Sequence, residues 1–157
     1  MDKNLVKPFV TCVRTTLQQY DPDISINAAS QEEIESTFEA HGTLTMLGIN
    51  GDVEGSVEFV MSRETGTNLA GTLMHKSCNE FDEDCKEAIQ EFTNMAVGNA
   101  VTDLKSMLDD RKIDITPPTM FVGNNIQISS NVESRPVHIP LSTSLGDIEL
   151  SVALDIH

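Results

Sequence analysis

The sequence predicts an α+β fold, in which long helices pack on a mostly antiparallel sheet. Three patterns support this prediction: a helical repeat of apolar residues over about residues 82–108, an alternation of apolar and polar residues over 148–156, and an Asn50-Gly51 dipeptide between two strand-like segments. The chain has 157 residues, of which 39% are hydrophobic. A chain of this length and composition can bury a core of its own, so residues 1–157 are expected to form a single domain.

The N-terminal third is predicted to contain a helix followed by a hairpin. Residues 4–19 have helical periodicity, with Pro8 either in the first turn or at a kink. Residues 24–33 are mainly polar and predict a loop. Strands over about 35–49 and 52–61 are joined by the Asn-Gly turn, because both of its positions accept a positive φ.

Two helices are predicted next, over about residues 64–74 and 82–108. The acidic segment 80–84 lies where the long helix begins, so its carboxylates are expected to cap the helix, through Asn79 or Asp82, rather than to bind a metal. At about 100° per residue, the long helix has one face for the core, formed by Phe81, Cys85, Ala88, Ile89, Phe92, Met95, Ala96 and Met107. The opposite side is formed by Glu87, Glu91, Asn94, Gly98, Val101 and Lys105.

The C-terminal part is predicted to be three strands, over about residues 125–130, 137–142 and 148–156. Before them, residues 116–118 must be extended, because each proline disfavours helix in the residue that precedes it. Pro136 and Pro140 lack an N–H, which predicts an edge or bulged strand there. An exposed edge can pair with another chain.

Composition excludes several classes of function. A formal charge of -15 would repel nucleic acid and anionic membranes, so neither is expected as a partner. No apolar run approaches the roughly 18 residues of a membrane span and no signal peptide opens the sequence, which predicts a cytoplasmic protein. Three cysteines without a C-x-x-C pair predict reduced, packed thiols, and four scattered histidines give no support for a metal site.

The outer side of the long helix is unusual for a surface that only meets solvent. Glu91 and Asn94 lie three residues apart and point the same way. Asn is a mediocre helix former, and Gly98 costs roughly 1 kcal/mol relative to Ala. A small residue one turn beyond Asn94, flanked by Val97 and Val101, would let another surface approach closely.

At these residues the sequence resembles the CheC/CheX-type phosphatases of bacterial chemotaxis, which dephosphorylate the response regulator CheY. The matching segments are Glu91-Phe92-Thr93-Asn94-Met95-Ala96-Val97-Gly98, Asp114-Ile115-Thr116-Pro117-Pro118-Thr119 with Val122-Gly123, and the turn from Gly48 to Ser56. The resemblance runs from about residue 43 to the C-terminus and is closer to CheX, because a Glu three residues before an Asn occurs only at Glu91 and Asn94. One site per chain follows.

The resemblance implies a phosphatase for a phosphorylated CheY-like receiver domain. Asn94 would orient the attacking water and Glu91 would meet the receiver's active-site lysine, with Glu87, Val97, Gly98 and Val101 as further partner-binding residues. No cofactor is expected in this chain, and Mg²⁺ is expected in the phosphorylated partner. The resemblance also implies a homodimer joined through its sheets. Two alternatives are a non-catalytic adaptor that binds a receiver through the same face and a flagellar-switch component.

Overall fold

The computed structural model describes residues 1–130 and 132–157, and within them it contains three α-helices and eight strands. The helices are α1 (Lys7–Tyr20), α2 (Arg63–Met74) and α3 (Glu83–Met107), and a short 3-10 helix, Lys3–Val6, precedes α1. The strands are β1 (Ile26–Ala28), β2 (Glu32–Glu33), β3 (Thr37–Gly51), β4 (Val53–Met61), β5 (Ile113–Ile115), β6 (Thr119–Ser129), β7 (Val137–Thr143) and β8 (Gly146–Ile156). This element content confirms the predicted α+β class.

All strand pairs of the described residues are antiparallel and belong to one curled sheet. Its order is β1-β7-β8-β4-β3-β5, with β2 beside β7 and β6 beside β3. Alternate residues of the long strands point to one face, where they form the main core with the helices. The other face carries a smaller cluster, formed by Ala40, Leu44, Val60 and Ile128. A register shift between Ala40 and Gly42 interrupts the β3–β6 pairing.

The β3–β4 hairpin lies where the Asn-Gly dipeptide predicted it, but it is not a two-residue turn on Asn50 and Gly51. The β3–β4 ladder ends at the pair Ile49 and Gly55, whereas Asn50 and Gly51 continue β3 and pair with β5, and of these two residues only Gly51 has a positive φ. Gly51 ends β3 with a φ of +113°, which a residue with a side chain rarely adopts. A Cβ atom there would also clash with the carbonyl oxygen of Lys112. Glycine is therefore required both for the turn and for the close approach of the segment that leads into β5.

Two predictions about the sheet are wrong. The polar segment 24–33 is not only a loop, because it contains β1 and β2, which both pair with β7. As a result β7 lies inside the sheet, between these strands and β8, so of the edge or bulged strand that its prolines predicted the edge is wrong, while its pairing with β1 and β2 is interrupted at residues 139–140. Pro140 falls between the part of β7 that pairs with β1 and the part that pairs with β2, so its missing N–H interrupts neither ladder.

The segment after α3 contains more strand than predicted. β5 pairs with the end of β3, and β6 begins at Thr119 rather than at about residue 125. Residues 116–118 connect them without regular structure, so the prolines separate two strands that both pair with β3. The weak alternation of β6 is explained by its place at the border of the sheet, where few of its side chains are buried.

Helix α1 packs on α3 and confirms the first-turn placement of Pro8. The Cys12 thiol donates to the Asp103 carboxylate at 3.5 Å, and burial together with this carboxylate raises the pKa of Cys12 to about 11. Cys12 and Cys85 are buried, as predicted, and Cys78 is half-buried. None of the described helices combines the length and the apolar character that crossing a membrane requires.

Candidate functional site

Helix α3 begins and ends within a residue of the predicted limits. Asp82 is the N-cap, and its side chain accepts a hydrogen bond of 3.0 Å from the Cys85 amide. This hydrogen bond lowers the pKa of the Asp82 carboxyl, and Glu83 and Asp84 add negative charge in the first turn. The acidic segment therefore stabilises the helix start, as the sequence predicted.

Glu91 and Asn94 are both exposed on the outer side of α3, as predicted. Within the described residues, the hydrogen bonds and ion pairs of this part of the helix involve Lys86, Gln90 and Thr93 and leave both side chains without a partner. A carboxylate and a carboxamide thus face solvent one helical turn apart. Together they offer one anionic acceptor and one group that can donate and accept at once.

The two valines expected beside this pair are not exposed. Val97 is 1% exposed and Val101 is 5% exposed, and both belong to the main core with Ile113. The physical reason is tertiary: β5 packs on this flank of α3 and covers positions that helical periodicity alone assigns to the surface. The prediction that Val97 and Val101 present apolar surface to a partner is therefore wrong.

Two methionines of α3 show the reverse error, because they are predicted to be buried and are exposed. Met95 and Met107 were predicted in the core, but they are 36% and 48% exposed. Met95 follows Asn94 directly and receives a hydrogen bond of 3.6 Å from the Tyr20 hydroxyl to its sulfur. We define the outward stripe of α3 by its observed members, which are Glu87, Glu91, Asn94, Met95 and the half-buried Gly98.

The segment 115–118 forms a wall beside the outward stripe. Gln90, Glu91, Asn94 and Ile115–Pro118 line a shallow groove of about 330 Å³. The Gln90 side-chain amide donates to the Pro118 carbonyl oxygen at 3.4 Å. Ile115 lies on the Gly98 flank, because a Cβ atom built on Gly98 would be 4.0 Å from the Ile115 Cδ1 atom.

Thr116 ties this wall to the β3–β4 hairpin. Its amide donates to the Gly48 carbonyl at 2.9 Å, and its hydroxyl oxygen accepts from the Gly48 amide at 2.8 Å. A Cβ atom on Gly48 would lie 3.2 Å from the Thr116 side chain, so glycine permits this close contact. Residues from all three matching sequence segments are thereby brought together.

Sequence reasoning missed Gln90, Met95 and Tyr20 as neighbours of the pair. Residues 116–118 were identified as a matching segment, but nothing in the sequence placed them against α3. Tyr20 ends α1, 75 residues before Met95 in the chain, and no pattern links the two. These contacts depend on how α1, α3 and the sheet pack.

The described residues offer no second constellation of the same kind. Asn68 on α2 follows Glu64 by four residues, but its amide donates to the Leu145 carbonyl at 3.1 Å and is held by the fold. Among residues 1–130 and 132–157, no three His, Cys, Asp or Glu side chains form a group that could hold a metal ion. The outward stripe and its wall are the candidate site.

Comparison with known proteins identifies the family. A model of the family described as "Chemotaxis phosphatase CheX" matches residues 43–142, which contain the hairpin, α3 and the wall. The chain belongs to the CheX family.

Relatives of known name or structure agree with the CheX assignment. The chain is 34% identical over 91 residues to the CheY-P phosphatase CheX of Thermotoga maritima, a match that covers 57% of each protein. The match thus spans little more than half the length of that relative. A crystal structure of chemotaxis protein CheX from Desulfovibrio desulfuricans superposes with a TM-score of 0.85 at 22% identity, covering 97% of this chain and 99% of that one.

A CheX structure with a bound partner is also similar. The crystal structure of the CheX-CheY-BeF3-Mg²⁺ complex from Borrelia burgdorferi matches with a TM-score of 0.78 at 28% identity, covering 95% of this chain and 96% of that one. These neighbours confirm the CheX-like fold that the resemblance implied.

Proposed function

We propose that this protein is a phosphatase that hydrolyses the aspartyl phosphate of a CheY-like receiver domain through the outward stripe of α3. The observation that carries the proposal is the exposed, unpartnered Glu91–Asn94 pair beside a preformed groove, in a chain of the CheX family. Membership of this family and the CheY partner in the Borrelia complex favour a receiver as the substrate. The negative charge of the chain suits a partner that presents a basic residue.

Asn94 is proposed to position the attacking water. A carboxamide has no titratable proton at neutral pH, so it cannot act as a general base, but it can accept from and donate to a water molecule in fixed geometry. The water oxygen attacks phosphorus, the bond between phosphorus and the aspartyl oxygen breaks, and inorganic phosphate and a free carboxylate result. A rate gain of about 10² requires only ~2.7 kcal/mol of barrier lowering, within the reach of positioning.

Glu91 is proposed to bind the receiver's lysine. Its carboxylate is exposed before binding and would be desolvated as the two surfaces close, which strengthens a charge-assisted hydrogen bond to an ammonium group. Glu87 lies one turn earlier on the same stripe and would add to the attraction. The Mg²⁺ that supports phosphoryl chemistry would arrive with the receiver, and this chain would supply no cofactor.

A phosphate-release assay with phosphorylated CheY-like receivers from the same organism tests the proposal. Asn94→Ala should lower kcat about 10²-fold with little change in receiver affinity, and Glu91→Ala should weaken binding about tenfold or more, as expected for a hydrogen bond to a charged group. Asn99→Ala is the matched control, because Asn99 is exposed on the same helix outside the groove lining. Wild-type phosphate release by Asn94→Ala, with binding retained, would instead support the adaptor.

We also propose that the protein is a homodimer joined through the free side of β6. In the described residues β6 pairs only with β3, and Phe121 at its N-terminal half is 46% exposed. An unpaired edge with an exposed aromatic residue favours pairing with a second copy. β7, which the sequence favoured, is occupied on both sides. The cytoplasm, where receiver domains are phosphorylated, remains the predicted location.

A further inference from the structure

The wall formed by residues 115–118 has an unusual set of anchors. Pro117 and Pro118 have no backbone N–H and their φ angles are fixed by their rings, so this part of the chain is stiff but cannot donate hydrogen bonds of its own. Its anchors are the two bonds between Thr116 and Gly48, the bond from Gln90 to the Pro118 oxygen, and the pairing of Ile115 and Thr119 with β3 at its two ends. The wall is therefore preorganised by groups that lie outside the proline pair.

Gln90 connects this wall to the reactive pair. It immediately precedes Glu91 and lies one helical turn before Asn94. Its half-buried side chain spans the space between α3 and Pro118 and lines the same groove as Glu91. This side-chain hydrogen bond joins α3 directly to the wall, whose two ends are also held by β3.

We propose that Gln90 is a positioning residue, which holds the wall in place, and that Pro117 and Pro118 are part of the docking surface for the receiver domain. This inference rests on the proposed function and adds a second contact surface to it. The proline rings offer a rigid apolar surface in the groove that Glu91 also lines, which fits a partner with an apolar side chain next to its lysine. Because the wall is already ordered, little conformational entropy is lost when the receiver docks.

The experiment measures two quantities for each variant: the Kd for a receiver loaded with beryllofluoride and Mg²⁺, and the kcat for phosphate release. Gln90→Met keeps the length and helix propensity of the side chain but removes the donor, and should raise Kd about fivefold while kcat stays within about twofold. Pro118→Ala should raise Kd by a similar factor. The double variant should be no weaker than the worse single variant, because both changes act through one wall.

Gln18→Met is the matched control, since Gln18 is exposed on a helix and does not line the groove. Its Kd should equal that of wild type. Urea unfolding of every variant separates a loss of receiver binding from a loss of folding. The proposed effect leaves the unfolding midpoint of Gln90→Met near that of wild type.

The outcomes distinguish this inference from the proposed function. Suppose that phosphate release depends on Asn94 but that Gln90→Met and Pro118→Ala bind the receiver as wild type does. The proposed docking surface is then wrong, and the proposed phosphatase activity is retained. Additive effects of the two substitutions on Kd in the double variant would also contradict the proposed docking surface. If wild type neither binds nor dephosphorylates any receiver, the proposed function and the inference both fail.

Discussion

Glu58 is an acidic residue whose carboxyl group is buried in the sheet, although a charged carboxylate favours solvent. It lies on β4, points to the face of the sheet opposite the main core, and is only 2% exposed. Met46 and Ser151 stand opposite it on the neighbouring strands, and neither supplies a positive charge. Burial raises the pKa of Glu58 to about 7 from 4.5, although a hydrogen bond with Ser56 opposes the shift.

This raised pKa predicts a loss of stability as the pH rises. Below about pH 4.5 the carboxyl is protonated in both the folded and the unfolded chain; between about 4.5 and 7 the folded chain holds the proton more tightly, so stability falls with increasing pH, and above 7 the cost is constant. Glu58→Gln should therefore raise the free energy of unfolding by roughly 2 kcal/mol more at pH 8 than at pH 5. Urea unfolding of both proteins at the two pH values measures this. An equal difference at both pH values would mean that Glu58 ionises normally in the fold.

At the scale of the element, α3 shows which helical features the sequence encodes locally. Its N-cap at Asp82, its length and the outward direction of Glu91 and Asn94 follow from side-chain chemistry and a 3.6-residue period. The burial of Val97 and Val101 does not, because β5 decides it. Gly98 is different again, since the structure leaves room for a side chain there.

Gly98→Ala separates stability from recognition. The added methyl group would meet only the Ile115 side chain at an ordinary distance of 4.0 Å, so the variant should gain up to ~1 kcal/mol in free energy of unfolding from helix propensity. If a partner approaches closely over Gly98, the same methyl group should weaken receiver binding about tenfold, which a titration measures. Ser106→Ala is the control, because it adds helix propensity two turns further along α3. Unchanged affinity in a stabilised Gly98→Ala protein would remove Gly98 from the partner-binding set.

At the scale of the whole molecule, the sheet brings distant segments to one place. β5 pairs with the end of β3, so the wall reaches both Gly48 of the hairpin and Gln90 of α3. The same topology places β1 and β2 outside β7 and leaves one side of β6 without a strand in the described part of the chain. The site and the proposed dimer edge are therefore both consequences of strand order.

The dimer proposal predicts that Phe121→Lys separates the protomers. Replacing an aromatic side chain with a charge at an edge that pairs with another copy should weaken the dimer by about tenfold to a hundredfold. Sedimentation velocity over a range of concentrations measures the change. Met107→Lys is the matched control, since Met107 is also apolar and exposed but lies on α3. A wild-type protein that sediments as a monomer, or a Phe121→Lys dimer of unchanged affinity, contradicts the assignment of β6.

The sequence by itself determined the fold class, the hairpin at Gly51, the limits of α3 and the exposure of Glu91 and Asn94. These features depend on interactions between residues close in the chain, namely periodicity, capping and turn conformation, which a pattern can express. Only the tertiary structure decided that Val97 and Val101 are buried, that Met95 is exposed beside Tyr20, that β7 is interior and that residues 116–118 stand against Gln90. Each of these depends on which distant segment covers a given side, and that is fixed by packing of the whole chain.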